Sequence, residues 1–357
     1  MTSEATSKRK EDHIDICLNF PVQSQISSGF DNVFLIHKAL PEVDFNDIDT
    51  SIQLFGKRLS FPLVVSGMTG GMKNVEKINR TIAEACQKTG IGMGVGSQRA
   101  MIENETMRGS YEIRRYAPDI LLFGNLGMPQ FMLGWGEGEA RHAKESIGAD
   151  VLAFHLNALQ EIVQPEGDRN FSEGVVLLKR LKERCGFPII AKETGAGLCR
   201  EVVEKILFLD GVDVGGAGGT SFSAVEYYRN DEEGKELAHE FWNWGIPTAA
   251  SVVESGKMKT IIATGGIRSG QDIARAIALG AHCAGIALPI LECAMKGTGE
   301  VERALTRLER ELRTVMFLCG CQTIEDLREM PVVITGFLRE YLSERGYDTK
   351  SYAQRKR

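Results

Sequence analysis

Within ten residues the chain places His155, Asn157, Gln160, Glu161 and Gln164, directly after the apolar run Val151-Leu152-Ala153-Phe154. An unbroken apolar run marks a strand buried on both faces. Hydrogen-bonding side chains at its end therefore sit where a buried strand opens to solvent. Imidazole and amide groups there can orient a bound molecule or relay a proton; each also serves as an ordinary polar cap, and Glu161 as the acid of a helix's first turn. A carboxylate so placed suits Mg2+ as well, a hard cation that completes its shell with waters and phosphate oxygens. Lys192 ends a second apolar run, Pro188–Lys192, with only Glu193 beside it, whose side chain is expected on the opposite face. Such a lysine is either a Schiff-base former or a cation beside an anionic cofactor. A third run leads into Gly265-Gly266-Ile267-Arg268-Ser269-Gly270-Gln271-Asp272. Backbone N–H groups opening a helix favour a phosphate; the plainer alternative is a tight turn with Asp272 as first-turn acid.

These residues need a frame. Apolar runs at Pro62–Gly67, Ile91–Gly96, Ile120–Leu126, Val151–Asn157, Pro188–Lys192, Val212–Ala217, Thr260–Thr264 and Cys283–Leu288 read as eight strands. Most are spaced as one strand–helix unit, and helical periodicity fits Val75–Thr89, Gly174–Arg184, Glu201–Phe208 and Gln271–Leu279 between them. Gly90, Gly186 and Gly280 stand where helix C-caps belong. The pattern predicts an α/β fold, a TIM (β/α)8 barrel over residues 62–300, with an N-terminal arm over 1–61 and a helical C-terminal extension over 301–357. A long excursion over 222–259 carries an amphipathic segment around Glu232–Trp244. In such a barrel, chemistry belongs at the C-terminal strand ends. Six of those ends are glycine-rich, which implies that something broad and flat approaches the backbone closely, a flavin ring more than a compact sugar. Gly92-x-Gly94-x-Gly96 lacks the spacing of a dinucleotide-binding turn. Trp135, among Phe131–Gly136, reads as core or interface.

Composition narrows the function. The 357 residues are 43% hydrophobic and 25% charged, a globular balance, and the net charge of -6 argues against a general nucleic-acid binder. No apolar stretch is long enough for a membrane span, and the polar start MTSEATSKRKEDH does not read as a secretory signal. Cys319-Gly320-Cys321 is the one close pair among eight cysteines and has no second pair or His to complete a zinc site, so reduced thiols in a cytoplasmic protein are expected. Lys8-Arg9-Lys10, taken alone, reads as a solvated charge run.

The combination resembles one family, the type 2 isopentenyl-diphosphate isomerases, which use FMN. The resemblance is carried by Arg9-Lys10-x-x-His13-Ile14, Met68-Thr69-Gly70-Gly71, Gly96-Ser97-Gln98-Arg99, Gly124-Asn125-Leu126-Gly127, His155-x-Asn157-x-x-Gln160-Glu161, Gln164-x-x-Gly167-Asp168, Lys192-Glu193, Gly218-Gly219-Thr220-Ser221 and Gly265-Gly266-Ile267-Arg268. It implies FMN contacts from Met68, Thr69, Gly70, Ser97, Asn125, Lys192 and Thr220, with the FMN phosphate at Gly265, Gly266, Arg268, Ala287 and Leu288. It implies substrate contacts from Arg9, Lys10, Ser97, Gln98, Arg99, His155, Asn157 and Gln160, with Gln160 also catalytic and Glu161 holding Mg2+. The activity so implied needs reduced FMN, with NADPH as reductant, in a homo-oligomer (tetramer or octamer). Ala158 and Ala196 depart from what many members carry, without removing a polar group. Two other functions fit a barrel of this kind: an FMN-dependent hydroxy-acid dehydrogenase or oxidase, with His155 as base, and a flavin-free sugar-phosphate lyase using Lys192.

Overall fold

The computed structural model describes residues 3–72 and 75–356, with side chains from Lys8 onward. Eight parallel strands close into a barrel: β1 Leu63–Val65, β2 Gly92–Gly94, β3 Leu122–Gly127, β4 Val151–Leu156, β5 Ile189–Glu193, β6 Gly211–Asp213, β7 Ile261–Thr264 and β8 Cys283–Ile286. Each pairs with its sequence neighbours, and β8 returns to β1 through Gly285↔Val64. All eight predicted strands are present, several cut shorter. In β6 the cause is visible: Gly215, at φ +46°, takes the chain out of extended geometry two residues after Asp213.

The helices that matter for the mouth of the barrel are α1 Ser3–Asn19, α2 Glu76–Thr89, α3 Ala158–Val163, α4 Gly174–Cys185, α5 Phe222–Arg229, α6 Thr248–Glu254, α7 Gly270–Ala278, α8 Thr298–Cys319 and α9 Gly336–Glu344. α2 shows why they form. Ile78, Ile82 and Cys86 recur every four residues and are buried, and the Gly90 N–H closes the helix on the Cys86 carbonyl at 2.8 Å. Gly186 ends α4 in the left-handed region as expected, whereas α7 is capped by Leu279 with Gly280 one residue beyond it. The excursion folds as α5, a helix over Glu232–Glu240 and α6.

The flanking segments are built into the barrel. A hairpin of Ile52–Leu54 and Lys57–Leu59 puts Leu54 and Leu59 among Val64, Leu121, Phe123, Ile190, Ile262 and Cys283, an apolar cluster distinct from the main core. In the arm, Val33–Leu35 pairs antiparallel with Val332–Ile334 of the extension, and Ile16, Phe30, Leu338 and Leu342 belong to the main core. The cysteines remain thiols, with no disulfide among the described residues. Trp135 is partly buried, edge-on to Phe131 at 6.0 Å. Among the described residues no helix is long and apolar enough to cross a membrane.

Candidate active site

A cavity of about 250 Å3 opens at the C-terminal ends of the strands, lined from all eight strand-to-helix loops and from α1. Of the residues for which the resemblance implies a cofactor, substrate or metal contact, all but Thr69, Gly70 and Gln98 line it. Those three stand behind the wall. The Gln98 amide is fully buried and spends itself on the backbone, donating to the Ala143 carbonyl at 2.7 Å and accepting from Asn125 N at 2.9 Å. Gly70 lies against the Tyr111 ring, which a Cβ would meet at 2.0 Å. The Thr69 hydroxyl is buried without a partner.

The cluster after β4 is ordered from within. Glu161 accepts from Asn157 Nδ2, Gln164 Nε2 and the Asp168 backbone N–H, each at 2.7 Å. Gly167 makes this turn possible: a Cβ there would sit 1.8 Å from the Glu161 carbonyl oxygen. Burial raises the Glu161 pKa, and these hydrogen bonds work against it. Among the described residues no three His, Cys, Asp or Glu gather as an all-protein metal cage; a single mouth carboxylate fits Mg2+ shared with a phosphate ligand. The buried Asn157 Oδ1 has no partner, an acceptor held ready for a donor. His155 Nδ1 lies 2.8 Å from Asn125 Oδ1, so Nδ1 carries the proton and Nε2 is bare. Burial, then the charges of Lys192, Arg9 and Lys10, push the His155 pKa down to about 3, so the ring is neutral at pH 7.

Sequence reasoning missed Glu226 on α5. Its side chain is completely buried and takes hydrogen bonds from Gln160 Nε2 at 3.3 Å and His13 Nε2 at 2.9 Å, with Arg229 against its other oxygen. Burial works to raise its pKa, but His13 and Arg229 outweigh that and the net shift is downward. The one signal available was a Glu within the otherwise apolar start of its helix, Phe222-Ser-Ala-Val-Glu226. Arg229 also holds Glu166 at 2.8 Å, and Arg9 reaches Glu166 at 3.8 Å.

α1 brings Lys10, His13, Ile14 and Cys17 onto the cavity, the spacing of one helix face. The charge run is therefore half in the site. Lys10 donates to the carbonyls of Gly70 (2.7 Å) and Ser97 (2.9 Å) and to the Tyr111 hydroxyl (2.9 Å), while Tyr111 itself donates to Ser97 O at 2.6 Å. Burial, then Arg9, push the Lys10 pKa down to about 7. Arg99 bonds Glu103 at 2.7 Å, and the Gln130 amide, oriented to satisfy both its atoms, accepts from Arg99 Nη1 at 3.1 Å.

On the far side Lys192 meets a carboxylate that sequence did not show, Asp213 Oδ2 at 2.7 Å. Glu193 points elsewhere, as expected, and accepts from the N–H groups of Gly195, Ala196 and Gly197; burial nonetheless lifts its pKa to about 7. The mouth glycines have a second explanation besides a flat ligand: the loops pack on each other. A Cβ on Gly265 would fall 2.2 Å from the Gly216 carbonyl, and one on Gly67 2.0 Å from that of Val95. The start of α7 is already occupied. Asp272 takes the N–H groups of Arg268 and Ser269 at 3.0 Å each, and Glu311 takes that of Gly270 at 2.7 Å. An anion would therefore face the turn at Gly265–Ile267, the Arg268 guanidinium, and the start of the helix Leu288–Ala294, whose N-cap Ala287 offers no side-chain cap.

A closed eight-stranded parallel barrel with its polar mouth at the C-terminal strand ends is a (β/α)8 fold of the enzyme type. The structure is similar to a mandelate oxidase variant crystallised with 2-hydroxy-phenylacetamide, with TM-score 0.61 and 19% identity over 94% of this chain and 99% of that one. A mandelate oxidase with benzoyl-formic acid gives TM-score 0.59 at 16% identity over 91% and 95%. Residues 246–333 match the family model described as FMN-dependent dehydrogenase. Over nearly the whole chain the relatives are more particular. An isopentenyl-diphosphate delta-isomerase from Thermococcus onnurineus is 49% identical, covering 96% of this chain and 95% of its own length. That from Archaeoglobus fulgidus is 47% identical over 96% and 100%. The chain belongs to the isopentenyl-diphosphate delta-isomerase family.

Proposed function

We propose that the protein interconverts isopentenyl and dimethylallyl diphosphate by a 1,3-allylic proton shift, with reduced FMN and Mg2+. One observation carries this reading: the Gln160 amide is anchored between Asn157 and Glu226 in a cation-rimmed mouth, while His155, the histidine at the strand ends, is held far from basic. The residues fit FMN. Met68, Ser97, Asn125, Lys192 and Thr220 line the cavity as a ring-binding surface, and Gly265, Gly266, Arg268, Ala287 and Leu288 form its anion-facing end.

An isolated alkene is a very weak base, so the reaction needs a proton delivered to one carbon and a tertiary cation stabilised beside it. Reduced FMN, when bound, supplies an electron-rich ring and an exchangeable proton for that purpose. The chain's own residues do the rest. Arg9 and Arg99 would grip the diphosphate, Lys10 behind them would add its charge while its three N–H groups stay on Gly70 O, Ser97 O and the Tyr111 hydroxyl, and Glu161 would hold Mg2+ for it, so binding energy comes from groups remote from the reacting carbons. Gln160 faces the hydrocarbon, its amide fixed by Glu226. Ile14, Cys17 and Phe222 supply apolar lining. The same reading makes the protein a cytoplasmic homo-oligomer, a tetramer or octamer, reduced by NADPH.

The match to an FMN-dependent dehydrogenase model favours a second reading, oxidation of a hydroxy acid. That match covers Gly265–Arg268 and Ala287–Leu288 but not residues 155–161. It speaks to cofactor handling, and a His155 with pKa about 3 makes a poor base for removing a carbon-bound proton. Anaerobic incubation with isopentenyl diphosphate, FMN, Mg2+ and NADPH tests the choice. Dimethylallyl diphosphate is expected with no NADPH consumed beyond the initial reduction of the flavin; no isomerised product, or full turnover by the oxidised enzyme in air, overturns the proposal.

A further inference from the structure

Asp213, beneath the mouth, has no part in the account above. Register places His155 beside Lys192 and Lys192 beside Asp213, so three neighbouring strands, β4, β5 and β6, carry an imidazole, an ammonium and a carboxylate in one row. The imidazole is neutral. The ammonium and the carboxylate are 2.7 Å apart, with side chains 12% and 6% exposed. Lys192 lines the mouth cavity, whereas Asp213 does not; it lines a separate water-sized void inside the barrel, together with Lys192, Ser66 and Asn125. Lys192 thus spans the boundary, and Asp213 reaches the mouth only through it. The carboxylate is fixed from the other side as well, since Asp213 Oδ1 accepts from Gly215 N at 3.3 Å.

A buried carboxylate at this distance does two things. It takes one of the three ammonium donors, and it offsets the positive charge that the mouth would otherwise feel in a medium of low dielectric. We propose that Asp213 is a positioning residue that acts through Lys192 to set how strongly the mouth favours the anionic, reduced form of its flavin. This rests on the reading that the cavity binds FMN. Oxidised isoalloxazine is neutral and the reduced ring can carry a negative charge. An uncompensated ammonium lining the cavity would therefore favour the reduced form, and Asp213 would moderate that preference.

The test is Asp213→Asn in the full-length protein reconstituted with FMN; the amide is isosteric and can still accept from Lys192. Flavin dissociation constants are measured for both oxidation states, with the midpoint potential and the absorption spectrum of the reduced enzyme. Relative to the wild type, the variant is expected to bind reduced over oxidised FMN at least tenfold more strongly, about 30 mV in the positive direction for a two-electron couple. Its reduced spectrum should shift toward the anionic form. In a Lys192→Gln background the same substitution should shift both quantities by much less. An unchanged potential and spectrum in Asp213→Asn, or an equal shift with and without Lys192, overturns the proposal. Should Asp213→Asn fail to fold, Asp213→Glu serves: it keeps the charge and should leave the reduced-over-oxidised FMN preference within a few-fold of wild type, and a tenfold change there overturns the proposal. A wild-type protein that binds no FMN sinks the underlying reading instead, which the same titration reveals first.

Discussion

At the scale of single residues, the site divides into groups that face the cavity and groups that hold them. Glu161 faces it and is held by three donors. Glu161→Gln turns an amide N–H toward donors that need an acceptor and removes the charge a divalent cation requires. Activity should fall by more than the roughly 10–100-fold typical of losing an outer partner such as Gln164, and its Mg2+ dependence should vanish; steady-state rates against Mg2+ concentration check this. Lys10 sets a pH dependence. Its folded pKa, about 7 through burial and then Arg9, lies below the ordinary value of 10.5, so the free enzyme loses this cation as pH rises through 7 while the unfolded chain does not. kcat/KM for the diphosphate should therefore fall above pH 7 more steeply than kcat, because a bound dianion restores the proton. Lys10→Arg should displace that limb upward, and pH profiles of the two constants separate the cases.

At the scale of elements, legibility followed burial on both faces. The strands and their order could be read because parallel barrel strands are nearly continuous apolar runs, and the motif after β4 because polar residues there break such a run. Asp213 and Glu226 could not be read. Each is one carboxylate whose partner, Lys192 or His13, comes from another element, and no spacing along the chain encodes that meeting. Gln98 misled for the converse reason. It stands between Ser97 and Arg99, which line the cavity, yet turns inward to Asn125 and Ala143. The glycine-rich ends were read as room for a ligand, and many are also room for a neighbouring loop. Gly265→Ala tests this: its Cβ would fall 2.5 Å from Thr248 Oγ1 and still closer to the Gly216 carbonyl, at φ +120°. Strain of about 1–3 kcal/mol or more is expected, seen as a lower urea midpoint with or without FMN. An effect confined to FMN binding would mean that only the ligand needs that glycine.

At the scale of the whole molecule, a buried carboxylate is among the ties between the extension and the barrel. Glu254, at the end of α6, is fully buried and accepts from the Tyr341 hydroxyl at 2.8 Å, Arg345 Nε at 3.0 Å and Arg200 N at 2.7 Å. Tyr341→Phe should cost about 1–3 kcal/mol by leaving an acceptor short of a donor, with the FMN affinity unchanged; denaturant unfolding and a flavin titration measure the two independently. The arm has its own tie. Val33 meets Ile334 across a two-stranded ladder, and the same arm delivers Arg9, Lys10 and His13 to the mouth. Strand pairing between points so far apart along the chain is slow to form. A nascent polypeptide leaving the ribosome can close all eight barrel strands and seat α1 on Gly70, Ser97 and Glu226 before the arm's strand has a partner. The ladder is then the last seam to close, once translation has passed Ile334, and it locks an arm whose cations are already in place.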